Sequence, residues 1–188
     1  MASSRRSFVL GSAVLGAASF WGSPARATLV RGLSLKVLVS RSQQIVLLKP
    51  LDAHSHYVTL GGRRSIVTDT RVSVEDWVAK ESTRQSELLV RTLGGRVGSV
   101  GELVHGQPEL EPARTCLAFL KSGPEGVQWF VGMAQGHYRL ENFPAANARL
   151  LASRNLPELQ DWNGSAVQQL TGQRLHTARV AITGAAVL

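Results

Sequence analysis

The chain has 188 residues, a formal net charge of +8 and a single cysteine. This length suits one domain, and a lone cysteine excludes an intrachain disulfide framework. The basic balance is compatible with an anionic partner, but beyond Arg26 the only adjacent basic pair in the sequence is Arg63-Arg64. Scattered charge does not make the basic patch that nucleic-acid binding needs, so we expect no nucleic-acid partner.

The N-terminal segment carries the features of an export signal. Ser4-Arg5-Arg6-Ser7-Phe8 matches the twin-arginine motif S-R-R-x-F, an apolar stretch follows to Trp21, and Ala25-Arg26-Ala27 is a small-x-small cleavage site. These features occur in the order that a signal peptide requires. We therefore predict a twin-arginine signal peptide over 1–27, cleavage after Ala27, and a periplasmic or secreted protein with no membrane span after signal removal. A basic start to an N-terminal anchor helix is the alternative.

The mature chain begins with the pattern of a short helix and two strand segments. Apolar residues recur at helical spacing over 34–41, and Ser34 stands where an N-cap would be. The apolar run 44–48 predicts a strand, and 54–60 continues with strand-like alternation. Between them, Pro50 predicts a bend or a sheet edge because proline has no N–H to donate to a neighbouring strand.

The following segments predict a mainly β protein. Gly61-Gly62 is typical of a tight hairpin turn, and it leads into a long alternating strand over 65–79, with even-numbered residues facing the core and odd-numbered ones facing solvent. Further strands are expected at 87–93, 115–121, 127–133 and 138–140. Short strands joined by Gly and Pro turns favour an antiparallel barrel or sandwich. Cys116, in an apolar strand, is expected to be a small buried hydrophobe.

The character of the sequence changes after residue 141. Segments 145–153 and 164–170 have helical patterns, whereas 174–188 is compatible with a strand, a helix or a docked tail. We therefore expect a β-barrel domain over 28–141 and an irregular, partly helical C-terminal extension over 142–188, packed on the barrel or trailing from it.

Residues 94–107, GGRVGSVGELVHGQ, contain five glycines in fourteen positions. A dinucleotide-binding fingerprint needs G-x-G-x-x-G at the start of a helix, and a P-loop needs Gly-Lys-Ser/Thr at its end. This segment has neither spacing and runs into Pro108. We expect the glycines to let the backbone turn over one end of the barrel; if the loop binds a ligand, Arg96 and His105 are the groups to suspect.

Histidines raise a metal hypothesis. His54 and His56 are two residues apart on a strand and so share one face, and His105 lies in the glycine-rich segment. A zinc site needs three or four ligands, and no motif joins these residues. We expect no metal or cofactor, and His54, His56 and His105 remain the candidates for the alternative, a metal-dependent hydrolase.

An ordered series of motifs runs from Ile66 to Tyr138: Ile66-Val-Thr68, Val90-Arg91, Leu93-Gly94-Gly95 with Gly98 and Gly101, Gly106-Gln107-Pro108, Leu117-x-Phe119-Leu120, and Gly132-Met-Ala-Gln135-Gly136-x-Tyr138. With Ser42-x-x-Ile45-Val46 ahead of it, this order resembles a family of uncharacterised, exported all-β bacterial proteins, over roughly residues 33 to 141. The strand succession is more distantly similar to the OB-like barrel of netrin-type and metalloprotease-inhibitor modules, which implies a small antiparallel OB-like barrel here.

The chain departs from both patterns. Inhibitor modules begin with a cysteine and are cross-linked by disulfides, whereas this mature chain would begin Thr28-Leu-Val; the family has Lys-Gly where this chain has Lys80-Glu81. The resemblance brings no established activity.

We expect an exported, non-catalytic binding domain whose partner is a protein or another component of the cell envelope, with no catalytic residue. The binding surface is expected at 94–108 and at the turn 134–137. Its candidate contact residues are Arg96, His105, Gln107, Gln135 and His137. The alternatives are the hydrolase above and an inhibitor of an exported zinc protease.

Overall fold

The computed structural model describes residues 29–80 and 85–187. The twin-arginine motif and the expected cleavage site lie outside the described residues. In chain order the helices and strands are β1 (Val30–Arg31), α1 (Leu35–Arg41), β2 (Gln44–Leu60), β3 (Arg63–Ala79), β4 (Glu87–Leu93), β5 (Gly95–Val97), β6 (Val100–Glu102), β7 (Cys116–Ser122), β8 (Gln128–Phe130), β9 (His137–Glu141), β10 (Arg149–Ala152), β11 (Leu159–Gln160), α2 (Ala166–Leu170) and α3 (Leu175–Val187). The prediction of a mainly β protein is confirmed.

The central element is a seven-stranded sheet in the order β10-β9-β7-β2-β3-β4-β8. Its pairings are antiparallel except for β4 with β8, which run parallel. Strand β8 also pairs with β7, so the pairings run from β7 through β2, β3, β4 and β8 back to β7. The parallel pair is a departure from an all-antiparallel arrangement. It arises because the chain crosses over through β7 between the two strands.

Both faces of the sheet are buried where β2 and β7 pair. One face carries the first hydrophobic cluster, made of Val46, Leu48, Val72, Leu88, Val90, Cys116, Ala118, Leu120 and Phe130. The opposite face packs against the three helices and forms the second cluster, made of Leu35, Leu38, Val39, Ile45, Leu47, Leu117, Phe119, Val131, Tyr138, Leu150, Ala166, Leu170, Ala178 and Ile182. This double burial explains why 45–48 and 116–120 are continuous apolar runs instead of alternating ones.

Helix α1 begins and ends as its sequence and its surroundings require. The Ser34 hydroxyl accepts a hydrogen bond from the Val37 N–H (3.3 Å), which confirms the predicted N-cap. At the other end, the Lys80 ammonium donates to the carbonyl oxygens of Val39 (2.6 Å) and Ser42 (3.2 Å). A cation at a helix C-terminus satisfies carbonyls that have no partner within the helix. Lys80 thereby ties the end of β3 to α1.

The β2–β3 hairpin turns at Gly61 and Gly62, which adopt φ of +55° and +79°. Two consecutive positive φ values are what a two-residue hairpin turn requires, so the predicted turn is confirmed. The two expected segments of β2 form one strand, which pairs with β7 only as far as Leu48. Its register with β3 shifts between Pro50 and Asp52, so the pairing is irregular at the proline, where a bend or a sheet edge is expected.

The C-terminal region joins the sheet. Segment 145–153 is not the helix that its pattern indicates, because Arg149–Ala152 forms strand β10 and pairs antiparallel with β9. The free edge of β9 supplies hydrogen-bond partners, and tertiary context of this kind overrides a weak helix propensity. The helix expected near 164–170 is confirmed as α2, and α3 buries Ala178 and Ile182 against the second cluster.

Candidate functional site

The glycine-rich segment forms a small hairpin of strands β5 and β6, and no helix follows Gly101. Gly95 has φ of +133°, and a Cβ atom there would overlap the hydroxyl oxygens of Thr68 and Ser55. Glu102 closes the other side by accepting a hydrogen bond from the Ile66 N–H (2.7 Å). The glycines therefore allow the backbone to approach the β2–β3 hairpin closely. This geometry agrees with the expected turn and differs from a phosphate-binding loop.

The two segments expected to form a binding surface are in direct contact. The Ala134 N–H donates a hydrogen bond of 2.9 Å to the Gly106 carbonyl oxygen. The methyl end of Met133 also lies against Gly106. The segment 94–108 and the turn that begins at Met133 therefore pack directly against each other.

Two of the five expected contact residues are interior. Gln135 and His137 are each 2% exposed. The Gln135 amide accepts from the Leu33 N–H (2.8 Å) and donates to the Arg31 carbonyl (3.1 Å). It thereby fastens the segment before α1 to the turn. Neither Gln135 nor His137 is available to a partner, which corrects the expected composition of the surface, because the turn points these side chains inward.

His137 has a buried environment of its own. Its Nδ1 lies 3.1 Å from the Ser153 hydroxyl oxygen, and its ring meets Phe130 edge-on with 5.6 Å between the centroids. Burial, followed by the positive charge of Arg139, lowers the pKa of His137 to about 4. The imidazole is therefore neutral at neutral pH and links β9 to the end of β10.

The other three expected contact residues are exposed or partly exposed. Arg96 and His105 are exposed, and the Arg96 Nε donates to the Gly98 carbonyl within the hairpin (3.0 Å). Gln107 is half-buried, and its side-chain oxygen accepts from the Leu93 N–H (3.2 Å). The same segment exposes 79% of Leu103. Of these three residues, Gln107 lines a groove beside Arg91 and Trp129.

A groove of about 520 Å³ opens beside the end of β4. Among the residues that line it are Arg91, Leu93, Gln107, Lys121, Trp129 and Met133. We refer to it as the Arg91 groove. Its volume is in the range of small-molecule and peptide sites. Trp129 lies so close over Gly123 that a Cβ atom on that glycine would overlap the indole. Gly123 is thus required for the placement of the aromatic wall.

A row of side chains crosses the sheet on the groove side. Asp69 pairs with Arg91, Arg91 with Trp129, and Trp129 with Lys121 in the register of β3, β4, β8 and β7. Paired residues on neighbouring strands project to the same face. The alternate face, to which Val90 belongs, carries the first hydrophobic cluster. The row is therefore on the outer face of the sheet.

Arg91 is the most buried charged group of this row, with 7% exposure. Its Nε and Nη2 donate to the two carboxylate oxygens of Asp69 at 2.6 and 2.7 Å, and its Nη1 donates to Glu125 at 3.2 Å. The hydrogen bond to Asp69 is the main cause of the raised pKa of Arg91, opposed by burial. Bidentate pairing makes the buried charge tolerable because both carboxylate oxygens receive donors.

The Asp69–Arg91–Glu125 arrangement was not foreseen from the sequence. Alternation placed Asp69 on the solvent side of β3, yet its side chain is 11% exposed because Arg91 covers it. The available signal was Arg91 itself, a charge in the mostly apolar strand 88–93. A charged residue in such a strand needs a partner on the neighbouring strand, but the pattern does not say which one.

The candidate metal ligands His54, His56 and His105 do not come together as a metal site. His54 and His56 share a face as expected and stack with centroids 5.9 Å apart. His56 Nε2 lies 3.7 Å from Asp69, which is already engaged by Arg91. His105 is exposed on the glycine-rich segment. Over residues 29–80 and 85–187, no group of three or more His, Cys, Asp or Glu side chains is placed to hold a metal ion.

A second, smaller cleft of about 170 Å³ lies near the start of β7 and includes Glu111, Arg139, His137 and Cys116. Glu111 forms ion pairs with Arg114 (3.2 Å) and Arg154 (3.0 Å). Burial raises the pKa of the Cys116 thiol, as expected for an inert buried cysteine. The Arg91 groove is larger than this cleft. It is lined by Gln107 from the expected segment 94–108 and by Met133, which directly precedes the expected turn 134–137. We take it as the candidate site.

The fold and the groove together define a mainly β protein with a partly apolar groove beside a buried arginine. No protein-family model, curated protein or solved structure matches the chain. In the portion of the chain that the structure describes, no helix has the length and apolar character needed to cross a membrane.

Proposed function

We propose that this protein is an exported, non-catalytic binding domain that holds a protein or another envelope component in the Arg91 groove. The observation that carries the proposal is the hydrogen bond between Ala134 and Gly106. It holds the segment that carries Gln107 against the turn that begins at Met133, and both of these residues line the groove together with Trp129. Arg91 is paired with Asp69 and Glu125, an arrangement suited to holding a partner more than to transferring a proton.

We also propose that the closed circuit of pairings is an OB-like barrel. In chain order its strands are β2, β3, β4, β7 and β8, and they pair as first-second-third-fifth-fourth-first. In OB folds, ligands bind on the face of the second and third strands and at the loops after the first and fourth strands. Here those elements are β3, β4, the Gly61-Gly62 turn and the turn that carries Glu125. The position of the Arg91 groove agrees with that rule.

Capture of partners with matched variants tests the function. The full chain, affinity-tagged and cross-linked in cells, is compared with Trp129→Ala, with Lys121→Glu and with the control Trp162→Ala. Trp162 is 44% exposed and is not among the groove residues. We expect both groove variants to lose envelope partners that the wild type and the Trp162 variant retain. Circular dichroism checks that each variant is folded. An unchanged set of partners in folded groove variants would refute the proposal.

A further inference from the structure

We infer that the carboxylate of Glu125 occupies, in the free protein, the position on Arg91 that an acidic side chain of an extended peptide partner takes on binding. The inference rests on the proposed function of the groove and adds the chemical class of its ligand. It also implies that Glu125 competes with that ligand.

The two carboxylates that contact Arg91 are held very differently. Asp69 is 11% exposed and receives two short hydrogen bonds from Nε and Nη2. Glu125 is 71% exposed and receives one longer hydrogen bond, from Nη1. The first contact is a fixed part of the sheet. The second is accessible to solvent, and only a single hydrogen bond must be exchanged to replace it.

The turn that carries Glu125 has an unusual backbone. Glu125 has φ of +62° and the following Gly126 has φ of +75°. Side chains other than glycine rarely adopt this conformation. No atom would contact a Cβ added to Gly126, although the Gln128 side-chain amide donates a hydrogen bond to the Gly126 carbonyl oxygen (3.4 Å). Because the Glu125 side chain is 71% exposed, rotation of that side chain can move its carboxylate away from Arg91 without displacing a buried group.

The remaining groove residues define what would replace Glu125. Leu93 follows Arg91 by two residues along β4, and its N–H donates to the Gln107 side chain. In the direction across the strands, Trp129 pairs with Arg91 and Lys121 pairs with Trp129. Once Glu125 is displaced, Arg91 and Lys121 attract an anionic group, and the leucine, tryptophan and methionine offer apolar contacts. Because lining residues extend from Arg91 both along β4 and across the strands to β7, an acidic side chain within an extended peptide, flanked by apolar residues, fits this arrangement.

Fluorescence anisotropy with a defined probe tests the competition. The probe is a labelled, C-terminally amidated peptide, Ser-Leu-Val-Glu-Leu-Val-Ser, and its partner probe has glutamine in place of glutamate. Both are titrated with the full chain and with Glu125→Gln. If Glu125 occupies Arg91 about nine-tenths of the time, its removal raises the affinity for the glutamate peptide about tenfold. Binding of the glutamine peptide should stay the same.

The matched control is Glu87→Gln, which makes the same change of charge on β4. Glu87 is 50% exposed and lies 3.6 Å from the exposed Arg71, outside the groove residues. We expect it to change the affinity less than about twofold. Equal effects of the two variants, or no measurable binding of the glutamate peptide to the Glu125 variant, would overturn the inference. The proposed function would still stand if Trp129→Ala lost its partners in cells.

A third peptide that ends in a free carboxylate, Ser-Leu-Val-Leu-Val, separates an acidic side chain from a chain terminus. Tighter binding of this peptide than of the glutamate peptide would contradict the assignment of an internal acidic side chain. We expect the peptide with the free carboxylate to bind Glu125→Gln more weakly than the glutamate peptide does. Its chain ends at the group that contacts Arg91, so the groove residues beyond that point have no contacts.

Discussion

Arg91 and Asp69 face each other across β4 and β3 and are joined by two hydrogen bonds of 2.6 and 2.7 Å. The pair is nearly inaccessible to solvent although it lies on the outer face of the sheet. It connects strands β3 and β4 to the turn that carries Glu125 and to the groove beside it. The pair therefore bears on both the stability of the fold and the proposed binding.

Asp69→Asn should destabilise the protein by about 3 kcal/mol, because it leaves the buried guanidinium of Arg91 without its main counter-charge. Urea unfolding at neutral pH measures the difference. The control is Asp52→Asn, which breaks an ion pair of similar type between exposed side chains, Asp52 and Arg71. That variant should leave the unfolding midpoint almost unchanged. Equal midpoints for the two variants would show that the Asp69 pair is no more important than a surface contact.

Acid should destabilise the protein through His137. Its pKa is lowered from 6.5 to about 4 in the folded protein, so the unfolded chain binds a proton more readily than the folded one. The stability due to neutral His137 is fully present above about pH 6.5 and is lost as the pH falls through 4, by about 3 kcal/mol in total. Urea unfolding from pH 7 to pH 4 measures this loss.

The histidine variants separate this effect from other titrations. His137→Gln should remove most of the pH dependence between 6.5 and 4, whereas His176→Gln, a change at an exposed position on α3, should retain it. If His137→Gln kept the full pH dependence of the wild type, protonation of this imidazole would not be its cause.

Gly95→Ala should destabilise the protein by about 1–3 kcal/mol. The added methyl group would overlap the Thr68 and Ser55 hydroxyl oxygens, and the backbone has φ of +133°. Gly98→Ala is the comparison, because Gly98 also has positive φ but has open space around it. We expect a clearly smaller loss of thermal stability for Gly98→Ala. A loss as large as that of Gly95→Ala would show that backbone conformation alone, and not close approach, explains both glycines.

Export should depend on Arg5 and Arg6. Changing both to lysine keeps the positive charges but removes the guanidinium groups. Lysine cannot form the planar, bidentate contacts that a guanidinium forms. We expect the double variant to remain in the cytoplasm, as measured by cell fractionation of the full-length chain, while an Arg31→Lys control is exported. Mass spectrometry of the exported control should give a mature N-terminus at Thr28. Normal export of the double variant would contradict the twin-arginine assignment.

Local features of the sequence determined much of the fold. The Ser34 cap of α1, the Gly61-Gly62 turn and the buried Cys116 depend on residues close in the chain or on a continuous apolar run, and each prediction is confirmed. Such features are readable because backbone conformation and alternation act over a few residues.

Tertiary structure alone decided the composition of the site. Arg91 lies 22 residues from Asp69 and 34 from Glu125, and the Gln135 amide bonds to Leu33 across 102 residues. The strand at Arg149–Ala152 likewise formed where its local pattern indicated a helix, because the edge of β9 was beside it. Pairings at such separations depend on strand order and register. Those depend on the packing of the whole chain, and no short stretch of sequence contains that information.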